Sequence, residues 1–400
     1  PWENAYSSVS LSFTREFSKN NRVFYINMPW SVKDFWNHKN EPLAKARRPF
    51  LLKNKMRYER IEELPDQVVA VHPPLTIPVN FLPNGALYKT LRAYNDRLIV
   101  RTIEKVIADY NIKDYIYLNC YNPYCAGTLP KRLKPLLNIY QCIDDMTQEA
   151  YTARHGARLE EEVIAAADLV FVTSKNLHRL KSPLNPHTHI LHNAADLSIF
   201  SEAREKSLPR PPEIAHVRGK MIGFTGNMDP NRVDYSLLKK IACRHTDKTL
   251  VLVGPINNEE YKTVGLDQLP NVIMTGGKHI RELPAFLQHF DVTIIPFRKN
   301  TLTASIYPLK INEYLATGKP VVSTDFSEDI RGFGDVIYLA PDDDAFLHEI
   351  DRAIVEDNTE RAGNRVTKAA ENTWTERVRQ FWEIVEARLE MKTPAPKMNV

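Results

Sequence analysis

Two charged residues lie three positions apart in the stretch Ser305–Thr324, a spacing that puts them on one helix face. They are Lys310 and Glu313, and apolar side chains at helical spacing accompany them. Pro308 stands where a helix begins and Gly318 where one ends, and a β-branched run follows at once. A carboxylate accepts hydrogen bonds from two neighbouring hydroxyls, and an ammonium group neutralises phosphate. The pair therefore predicts a site for a phosphorylated, diol-bearing ligand, with a plain surface ion pair as the alternative.

The loop in front of this helix favours the first interpretation. An apolar strand is predicted over residues 292–297, and the polar loop 299–305 leads from it into the helix. Backbone N–H groups at a helix N-terminus point outward, and the helix dipole favours anions there. Tyr307 and Leu309 lead the helix and are therefore candidate binding residues. Phosphate binding at the helix start and diol binding one turn deeper together describe a nucleotide site, whereas an ordinary α/β crossover is the alternative.

The sequence PLKINEYLATGKPVVST, residues 308–324, resembles the nucleotide-sugar signature of GT-B glycosyltransferases. It is most similar to the family 4-like bacterial enzymes that build surface polysaccharides. The resemblance implies that Glu313 holds the ribose of a UDP- or GDP-sugar, and Lys310 is the candidate for the β-phosphate. The family often has a second Glu eight residues earlier, near the donor sugar, and Ser305 stands there instead. This departure leaves the nucleotide site intact and leaves retention and inversion of the anomeric centre both open.

Six further donor candidates lie at or beyond the strand ends of the second half of the chain: Gly226, Asn227, Arg232, Gly254, Gly277 and Ile280. A glycine lets the backbone approach a pyrophosphate closely, and an arginine supplies positive charge. The resemblance supports the first Gly turn and the basic residue beyond it. It also implies that the region Gly276–Lys278 frames the base, and we expect backbone contacts there, near His279 and Ile280. An ordinary βα turn is the alternative at each glycine, and a surface position is the alternative for Arg232.

Two adjacent carboxylates, Asp144 and Asp145, follow a predicted strand of the first half. Adjacent carboxylates raise each other's pKa, and one of them is then suited to act as a base for an acceptor hydroxyl. Polysaccharide glycosyltransferases of this kind show a similar Tyr-x-x-x-Asp-Asp, which begins here at Tyr140. The alternative is a helix N-cap followed by a first-turn acid. Three histidines are options for acceptor or sugar contact, each with a structural role as the alternative: His72, His155 and His192.

Apolar strands alternate with helices in both halves, which indicates α/β architecture with parallel, doubly wound sheets. In the first half, strands are predicted over 22–27, 67–71, 115–118, 138–142, 169–173 and 189–191. In the second half, they are predicted over 221–226, 249–253, 272–274, 292–297, 320–323 and 336–339. No strand is followed by GxGxxG, so a dinucleotide fingerprint is absent. A helix over 7–18 comes before the first strand, and an earlier strand upstream of Pro1 is therefore expected.

A chain of 400 residues is too long for a single hydrophobic core and fits two domains. Residues 1–200 are predicted to form an acceptor-binding Rossmann-like domain, and the polar, Pro-rich residues 201–218 a linker. Residues 219–374 are predicted to form the nucleotide-sugar-binding domain. The resemblance implies that the two domains face a cleft. It also suggests that a helix within residues 375–400 crosses back to the first domain, with a disordered tail after it.

Composition narrows the class of protein further. No apolar run approaches the roughly 20 residues that span a bilayer, and the cysteines form no CxxC or His/Cys cluster. A cytoplasmic protein with reduced cysteines is therefore expected. The net charge of +4 is too small to argue for a nucleic-acid partner.

The excess positive charge lies in residues 1–200, which contain 26 basic and 20 acidic side chains. Within them, residues 28–60 mix aromatic and basic side chains in an irregular stretch, which suits an anionic membrane surface or lipid-linked acceptor, or a solvated loop.

These observations predict a GT-B glycosyltransferase, peripheral to the inner face of the membrane. It moves a sugar from a nucleoside diphosphate sugar, UDP before GDP, to a sugar or lipid-linked acceptor in polysaccharide assembly. The domains are expected to close on each other during the reaction. No metal or other cofactor is expected, because the resemblance implies that helix dipoles and basic residues neutralise the leaving diphosphate. Two alternatives stay open: a nucleotide-sugar 2-epimerase on the same fold, and a nucleotide-binding scaffold without turnover, which Ser305 suggests.

Overall fold

The computed structural model describes residues 9–53, 55–61, 64–148 and 150–392. The start of the predicted first helix, the loop before it and the predicted disordered tail from residue 393 lie outside these ranges. Two compact units divide the chain. The first unit consists of Pro1–Val172, Leu177–Ile190 and Val378–Val400, and the second of Thr173–Asn176 and Leu191–Arg377.

The strands of the first unit form two sheets within the described ranges. They are β1 (Val23–Ile26), β2 (Arg57–Arg60), β3 (Val68–His72), β4 (Ile116–Cys120), β5 (Leu137–Cys142), β6 (Leu169–Val172) and β7 (Thr188–Ile190). Strands β4, β5, β6 and β7 run parallel in that order. In the other sheet, β3 pairs in parallel with β1 and antiparallel with β2. The side chains of β6 are buried throughout, as the continuous apolar run LVFV predicts for a parallel strand.

The helices of the first unit are α1 (Val9–Phe17), α2 (Val32–Asn37), α3 (Pro42–Leu51), α4 (Ala86–Asp109) and α5 (Ala150–Ala166), followed by α6 (Lys175–Lys181), which begins among residues of the second unit. The prediction of an irregular stretch over 28–60 is wrong, because α2, α3 and β2 lie there. Ser31 and Asp34 form a capping box that starts α2, and Pro42 occupies the first turn of α3. Both helices are too short for apolar periodicity to reveal them.

The second unit contains a six-stranded parallel sheet in the order β10-β9-β8-β11-β12-β13. Its strands are β8 (Met221–Thr225), β9 (Thr249–Val253), β10 (Val272–Gly276), β11 (Val292–Ile295), β12 (Val321–Thr324) and β13 (Tyr338–Ala340). This confirms the parallel, doubly wound architecture. The carboxyl ends of all six strands lie at one edge of the sheet, where such folds bind ligands.

Helices precede and follow these strands along the chain. They are α7 (Leu197–Glu205), α8 (Tyr235–Arg244), α9 (Glu260–Thr263), α10 (Leu283–His289), α11 (Thr301–Ala304), α12 (Leu309–Ala316), α13 (Glu328–Arg331), α14 (Asp343–Glu356), α15 (Thr359–Ala370) and α16 (Trp374–Lys392). Helix α12 lies between Pro308 and Gly318, as these two residues predict.

The stretch 201–218 is not the linker that its composition predicts. Its first residues belong to α7, which packs against α10 and α12. Ile214 and Val217 are buried in the core of the second unit, and the guanidinium of Arg210 donates to their backbone carbonyls at 3.1 and 2.8 Å. Buried apolar anchors and an arginine with backbone partners fix this Pro-rich segment, although most of its side chains are polar.

Helix α16 passes from the residues of the second unit to those of the first, as predicted. The ring of Phe381 packs against Phe13, Phe17 and Phe171, with centroid distances of 6.4, 4.9 and 4.9 Å. Arg388 Nε donates to the carbonyl of Asp168 at 3.1 Å. Aromatic burial therefore fixes the last helix within the first unit. Among the described residues, no helix combines the length and the apolar character needed to cross a membrane.

Candidate functional site

Helix α12 carries the charged pair from which the site is built. Ile311, Tyr314 and Leu315 are fully buried beneath it. Lys310 and Glu313 share another face, where the ammonium donates to the carboxylate with Nζ and Oε2 3.0 Å apart. Glu313 is 7% exposed, so its carboxylate is largely buried and has little freedom to move. The predicted pairing of these two residues on one face is present in the structure.

The hydroxyl of Tyr314 fixes α12 against the end of β8. It accepts from the backbone N–H of Thr225 at 2.8 Å and donates to the Thr225 carbonyl at 3.3 Å. Complete burial raises the pKa of this phenol, which therefore stays protonated as a donor. Apolar spacing in the sequence indicates that Tyr314 is buried, but no local pattern identifies its partner 89 residues away.

Two glycines bring the ends of β8 and β9 together beside Lys310. Gly226 has a φ of +145° and Gly254 a φ of +159°. A Cβ atom on Gly254 would lie 1.7 Å from the Gly226 carbonyl oxygen, and one on Gly226 would lie 2.6 Å from Lys310 Cε. No L side chain fits at Gly254 without moving backbone. The two predicted glycines, Lys310 and Glu313 thus form one continuous site at the carboxyl edge of the sheet.

The chemistry of this site follows from its parts. The Lys310 side chain lies beside the half-buried backbone of Gly226, where no Cβ keeps the oxygens of a phosphate group away. One helical turn further on, the Glu313 carboxylate offers two acceptor oxygens to vicinal hydroxyls. We name the set of Gly226, Gly254, Lys310 and Glu313 the α12 site.

Four donor candidates lie elsewhere on the second unit. Asn227 is exposed, and Arg232 is half-buried with its Nε 3.7 Å from Asp229 Oδ2, which offsets part of its charge. At the end of β10, Gly276 has the positive φ of +74°, whereas the predicted Gly277 is exposed. Ile280 begins a short 3₁₀ turn. Ligand contact by these four residues stays a prediction.

Tyr307, in front of α12, is committed to contacts inside the second unit. Its ring stacks on His192 with centroids 4.5 Å apart, and it is 3% exposed. Its hydroxyl donates to Asn372 Oδ1 and accepts from Asn312 Nδ2, both at 3.3 Å. Tyr307 therefore positions the start of α12, and ligand contact at Leu309 stays a prediction.

Ser305, at the position of the family's second Glu, is fully buried. Its hydroxyl accepts from Asn176 Nδ2 at 2.8 Å and donates to the Thr301 carbonyl at 3.4 Å. The residue holds the chain before α12 in place, and its short side chain carries no charge that could act on a sugar.

The two candidate acids of the first unit differ in their surroundings. Asp145 is 7% exposed and caps a 3₁₀ turn, since its carboxylate accepts from the Thr147 N–H at 3.0 Å and from the Thr147 hydroxyl at 2.7 Å. Gln148 Nε2 donates to it as well, at 3.1 Å. This is the capping role weighed as the alternative to catalysis. Asp144 is half-buried beside it, and a catalytic role for Asp144 stays a prediction.

A buried cluster that the sequence does not reveal lies on the strand before these acids. Tyr140 donates to Glu160 Oε1 at 2.8 Å, and Lys181 donates to Glu160 Oε2 at 2.6 Å. Glu160 is completely buried, and burial raises the pKa of the Tyr140 phenol well above its usual value. The cluster connects β5, α5 and α6. Tyr140 of the resemblance motif is thereby a structural residue.

Two of the three candidate histidines have structural partners in the first unit. His72 pairs through Nε2 with Glu59 at 2.8 Å and through Nδ1 with Asn27 at 3.1 Å. His155 donates from Nε2 to the Leu82 carbonyl at 2.9 Å. Both are buried, which favours the structural alternative for each.

The third histidine, His192, belongs to the second unit and packs near α12. Its Nδ1 donates to the Thr173 carbonyl at 2.9 Å and lies 3.8 Å from Asp329 Oδ1. Burial lowers the pKa of His192 to about 4 and raises the pKa of Asp329 to about 6. The imidazole is therefore neutral at pH 7. Asp329 also accepts from the N–H of Lys175 at 3.1 Å and so caps the start of α6.

Within the described ranges, no group of three or more His, Cys, Asp or Glu side chains is arranged to hold a metal ion. The expectation of metal-independent chemistry is not tested by that arrangement and stays a prediction.

Comparison with known proteins gives one family match and one curated relative. Residues 219–356 match the family described as Glycosyl transferases group 1. The chain is 31% identical over 170 residues to TuaH of Bacillus subtilis (strain 168), whose name gives it a provisional role as a teichuronic acid biosynthesis glycosyltransferase. That match covers 41% of this chain and 42% of TuaH, so it spans less than half of that relative.

Solved structures resemble this one over most of their length. Sucrose-phosphate synthase from Thermosynechococcus elongatus has a TM-score of 0.65 at 15% identity, with 95% of this chain and 92% of that chain covered. The α,α-trehalose-phosphate synthase (UDP-forming) from Burkholderia vietnamiensis has a TM-score of 0.65 at 10% identity, with 92% of this chain and 99% of that chain covered. Anabaena HepE in complex with UDP and glucose has a TM-score of 0.53 at 18% identity, with 78% of this chain and 86% of that chain covered. At these identities the likeness shows the fold.

Proposed function

We propose that this chain, which has the GT-B fold and matches the glycosyl transferases group 1 family over residues 219–356, transfers a sugar from a nucleoside diphosphate sugar to a saccharide or lipid-linked acceptor. The α12 site is the observation that carries the proposal. Lys310 lies against the backbone of Gly226, at the position for a diphosphate, and Glu313 is 3.0 Å away, at the position for a ribose diol.

UDP is the proposed nucleotide. Support comes from HepE, solved with UDP and glucose, and from the UDP-forming trehalose-phosphate synthase, both of which share the fold. In the proposed reaction, the bond between the anomeric carbon and the diphosphate breaks, and UDP leaves. Lys310 and the N-terminal end of α12 stabilise the charge that develops on it, so the reaction requires no cofactor.

The first unit is the proposed acceptor domain, and the second the donor domain. Asp144 is the proposed base that takes the proton of the acceptor hydroxyl as it attacks the anomeric carbon. Asp145, with three hydrogen bonds to Thr147 and Gln148, would hold the turn that carries Asp144. Inversion is the outcome if Asp144 is this base, and retention is the outcome if the chain follows the family's usual course.

Surface polysaccharide assembly at the inner face of the membrane is the proposed setting. The name of TuaH, which places it in teichuronic acid biosynthesis, supports this setting. A nucleotide-binding scaffold without turnover is a second candidate, because Ser305 stands at the second Glu position and is committed to Asn176.

Turnover separates the two candidates. The full chain would be incubated with UDP-sugars and lipid-extract or oligosaccharide acceptors, and UDP release and glycosylated product would be measured for the wild type and for Asp144→Asn. Asp114→Asn, a change to an exposed carboxylate of the same unit, is the matched control. Turnover that falls in Asp144→Asn while UDP still binds supports the proposal. UDP binding without turnover against any acceptor supports the scaffold.

A further inference from the structure

The outward faces of α2 and α3 combine exposed apolar and basic side chains. On α3, Lys45, Arg48 and Pro49 recur at helical spacing, Leu52 directly follows the helix, and all four are exposed. On α2, Val32 and Trp36 lie one turn apart and are 51% and 65% exposed. We name this surface the α2–α3 face, with the members Val32, Lys33, Trp36, Lys39, Lys45, Arg48, Pro49, Leu52 and Lys53.

The opposite faces of both helices are buried. Phe35 lies under α2, while Ala44 and Leu51 lie under α3. Next to Ala44, the buried guanidinium of Arg47 covers the ring of Trp30 at 4.9 Å. The N–H of Val32, at the start of α2, donates to the Thr76 carbonyl at 2.9 Å. The outward side chains are thus presented on a fixed base.

Exposed apolar side chains concentrate at this face. Trp36 and Leu52 are 65% and 60% exposed, and Met28, before α2, is 60% exposed. Single exposed apolar residues are ordinary, but several on adjoining short helices mark an interaction surface. The ammonium of Lys39 lies 4.0 Å from the ring centroid of Trp36, and this cation–π contact joins the apolar and charged parts of the face.

Residues 28–60, which include both helices, also carry an excess of positive charge. Residues 28–60 contain nine Lys and Arg against three Asp and Glu, a net +6, whereas the whole chain carries +4. The three acids have local partners: Asp34 accepts from the Ser31 hydroxyl at 2.7 Å, Glu41 pairs with His38 at 2.7 Å, and Glu59 pairs with His72. The cations of the α2–α3 face lie outward, so its field is positive.

We propose that the α2–α3 face binds an anionic lipid bilayer. Trp36 and Leu52 enter the headgroup region, while Lys45 and Arg48 lie against lipid phosphates. Aromatic, aliphatic and basic side chains exposed together on these two helices suit a bilayer, which is apolar inside and anionic at its surface. A soluble polyanion would make no use of the apolar side chains. The inference deepens the membrane setting of the proposed function and rests on that part of it.

Vesicle co-sedimentation of the full chain tests this inference without donor or acceptor, so its failure is separate from failure of the α12 site. The probes are phosphatidylcholine vesicles with and without phosphatidylglycerol, at low and high salt. The double variants Lys45→Glu with Arg48→Glu and Trp36→Ala with Leu52→Ala change the charged and apolar parts in turn. Lys262→Glu and Val355→Ala, at side chains 53% and 82% exposed on the second unit, are the matched controls.

The wild type is expected to bind the phosphatidylglycerol vesicles and not the neutral ones, and high salt should weaken binding. Each double variant should weaken it by about tenfold or more, and the controls should not change it. Unchanged thermal unfolding of the variants would exclude misfolding as the cause. Equal binding to neutral vesicles, or binding that both face variants retain, would overturn the inference. Binding of soluble polyphosphate as tight as that of vesicles, and insensitive to Trp36→Ala, would overturn it as well.

Discussion

The hydroxyl of Tyr314 and the backbone N–H of Thr225 are 2.8 Å apart, and this hydrogen bond fixes α12 to the end of β8. Glu313 precedes Tyr314, and Gly226 follows Thr225. The two parts of the α12 site, one from a helix and one from a strand end, are therefore held together by the hydrogen bonds of one buried hydroxyl. Removing it should affect stability and ligand binding together.

Tyr314→Phe tests this coupling. The variant leaves the buried Thr225 N–H without its acceptor, which should reduce the free energy of unfolding by about 1–3 kcal/mol. UDP affinity should fall in parallel, because α12 is no longer fixed. Denaturant unfolding and calorimetry measure the two effects. Full UDP affinity in a clearly destabilised variant would show that the hydrogen bond stabilises the fold without positioning the site.

Substitutions at the two glycines should have different consequences. In Gly254→Ala the new Cβ meets the Gly226 backbone, so we expect destabilisation of about 2 kcal/mol or more. In Gly226→Ala the Cβ meets the flexible end of Lys310, which can move away. Backbone strain at φ +145° adds a smaller cost, and diphosphate binding should suffer most.

Gly363→Ala is the control for both glycine variants. This residue lies within α15, and a Cβ there would have no heavy atom within 4 Å. Alanine favours a helix over glycine, so stability should rise by about 1 kcal/mol. If Gly226→Ala retained full UDP affinity, the close approach of a ligand to this backbone would be contradicted.

Lys310→Met separates phosphate recognition from sugar recognition. Removing the ammonium should weaken UDP more than uridine, since only the diphosphate loses a charged partner. The pair of half-buried Lys368 and exposed Glu371 has the same spacing and the same 3.0 Å separation, so Lys368→Met is the matched control. Equal losses for UDP and uridine on calorimetry would argue against a phosphate contact at Lys310.

Asp329 should make stability depend on pH. Burial raises its pKa to about 6, so the folded state holds this proton more tightly than the unfolded chain does, near 3.8. The stabilisation is present below about pH 4 and is lost as pH rises through 6. Lys175, Glu328 and His192 are the charged or titratable groups around it.

Asp329→Asn removes this titration. The variant should gain about 2 kcal/mol relative to the wild type between pH 4 and pH 7. The lowered pKa of His192 acts in the opposite direction, and it is present in both proteins, so the difference between the two unfolding curves isolates Asp329. A difference that does not change with pH would contradict the buried carboxyl.

Local signals predicted much of the second unit. Pro308, Gly318 and the apolar spacing between them predict α12, and the spacing of Lys310 and Glu313 predicts that they share one of its faces. The same signals failed over residues 28–60, because α2 and α3 each expose one face and are short. Composition also failed over 201–218, where Ile214 and Val217 outweigh the polar majority.

Contacts between distant parts of the chain were not predictable. Asn176 and Ser305 are 129 residues apart, and the Tyr140–Glu160–Lys181 cluster joins three elements. A sequence shows that such residues are polar without showing their partners. The assignment of Asp145 to a cap instead of a base depended on the position of Thr147, which only the structure supplies.

The most direct test of the central claim is a calorimetric titration of UDP, GDP and ADP into the wild type, Glu313→Ala and the control Glu371→Ala. We predict that the wild type binds UDP, that Glu313→Ala weakens this binding by about tenfold or more, and that Glu371→Ala does not change it. A wild type that binds none of the three, or UDP binding that Glu313→Ala leaves intact, would contradict the assignment of the α12 site.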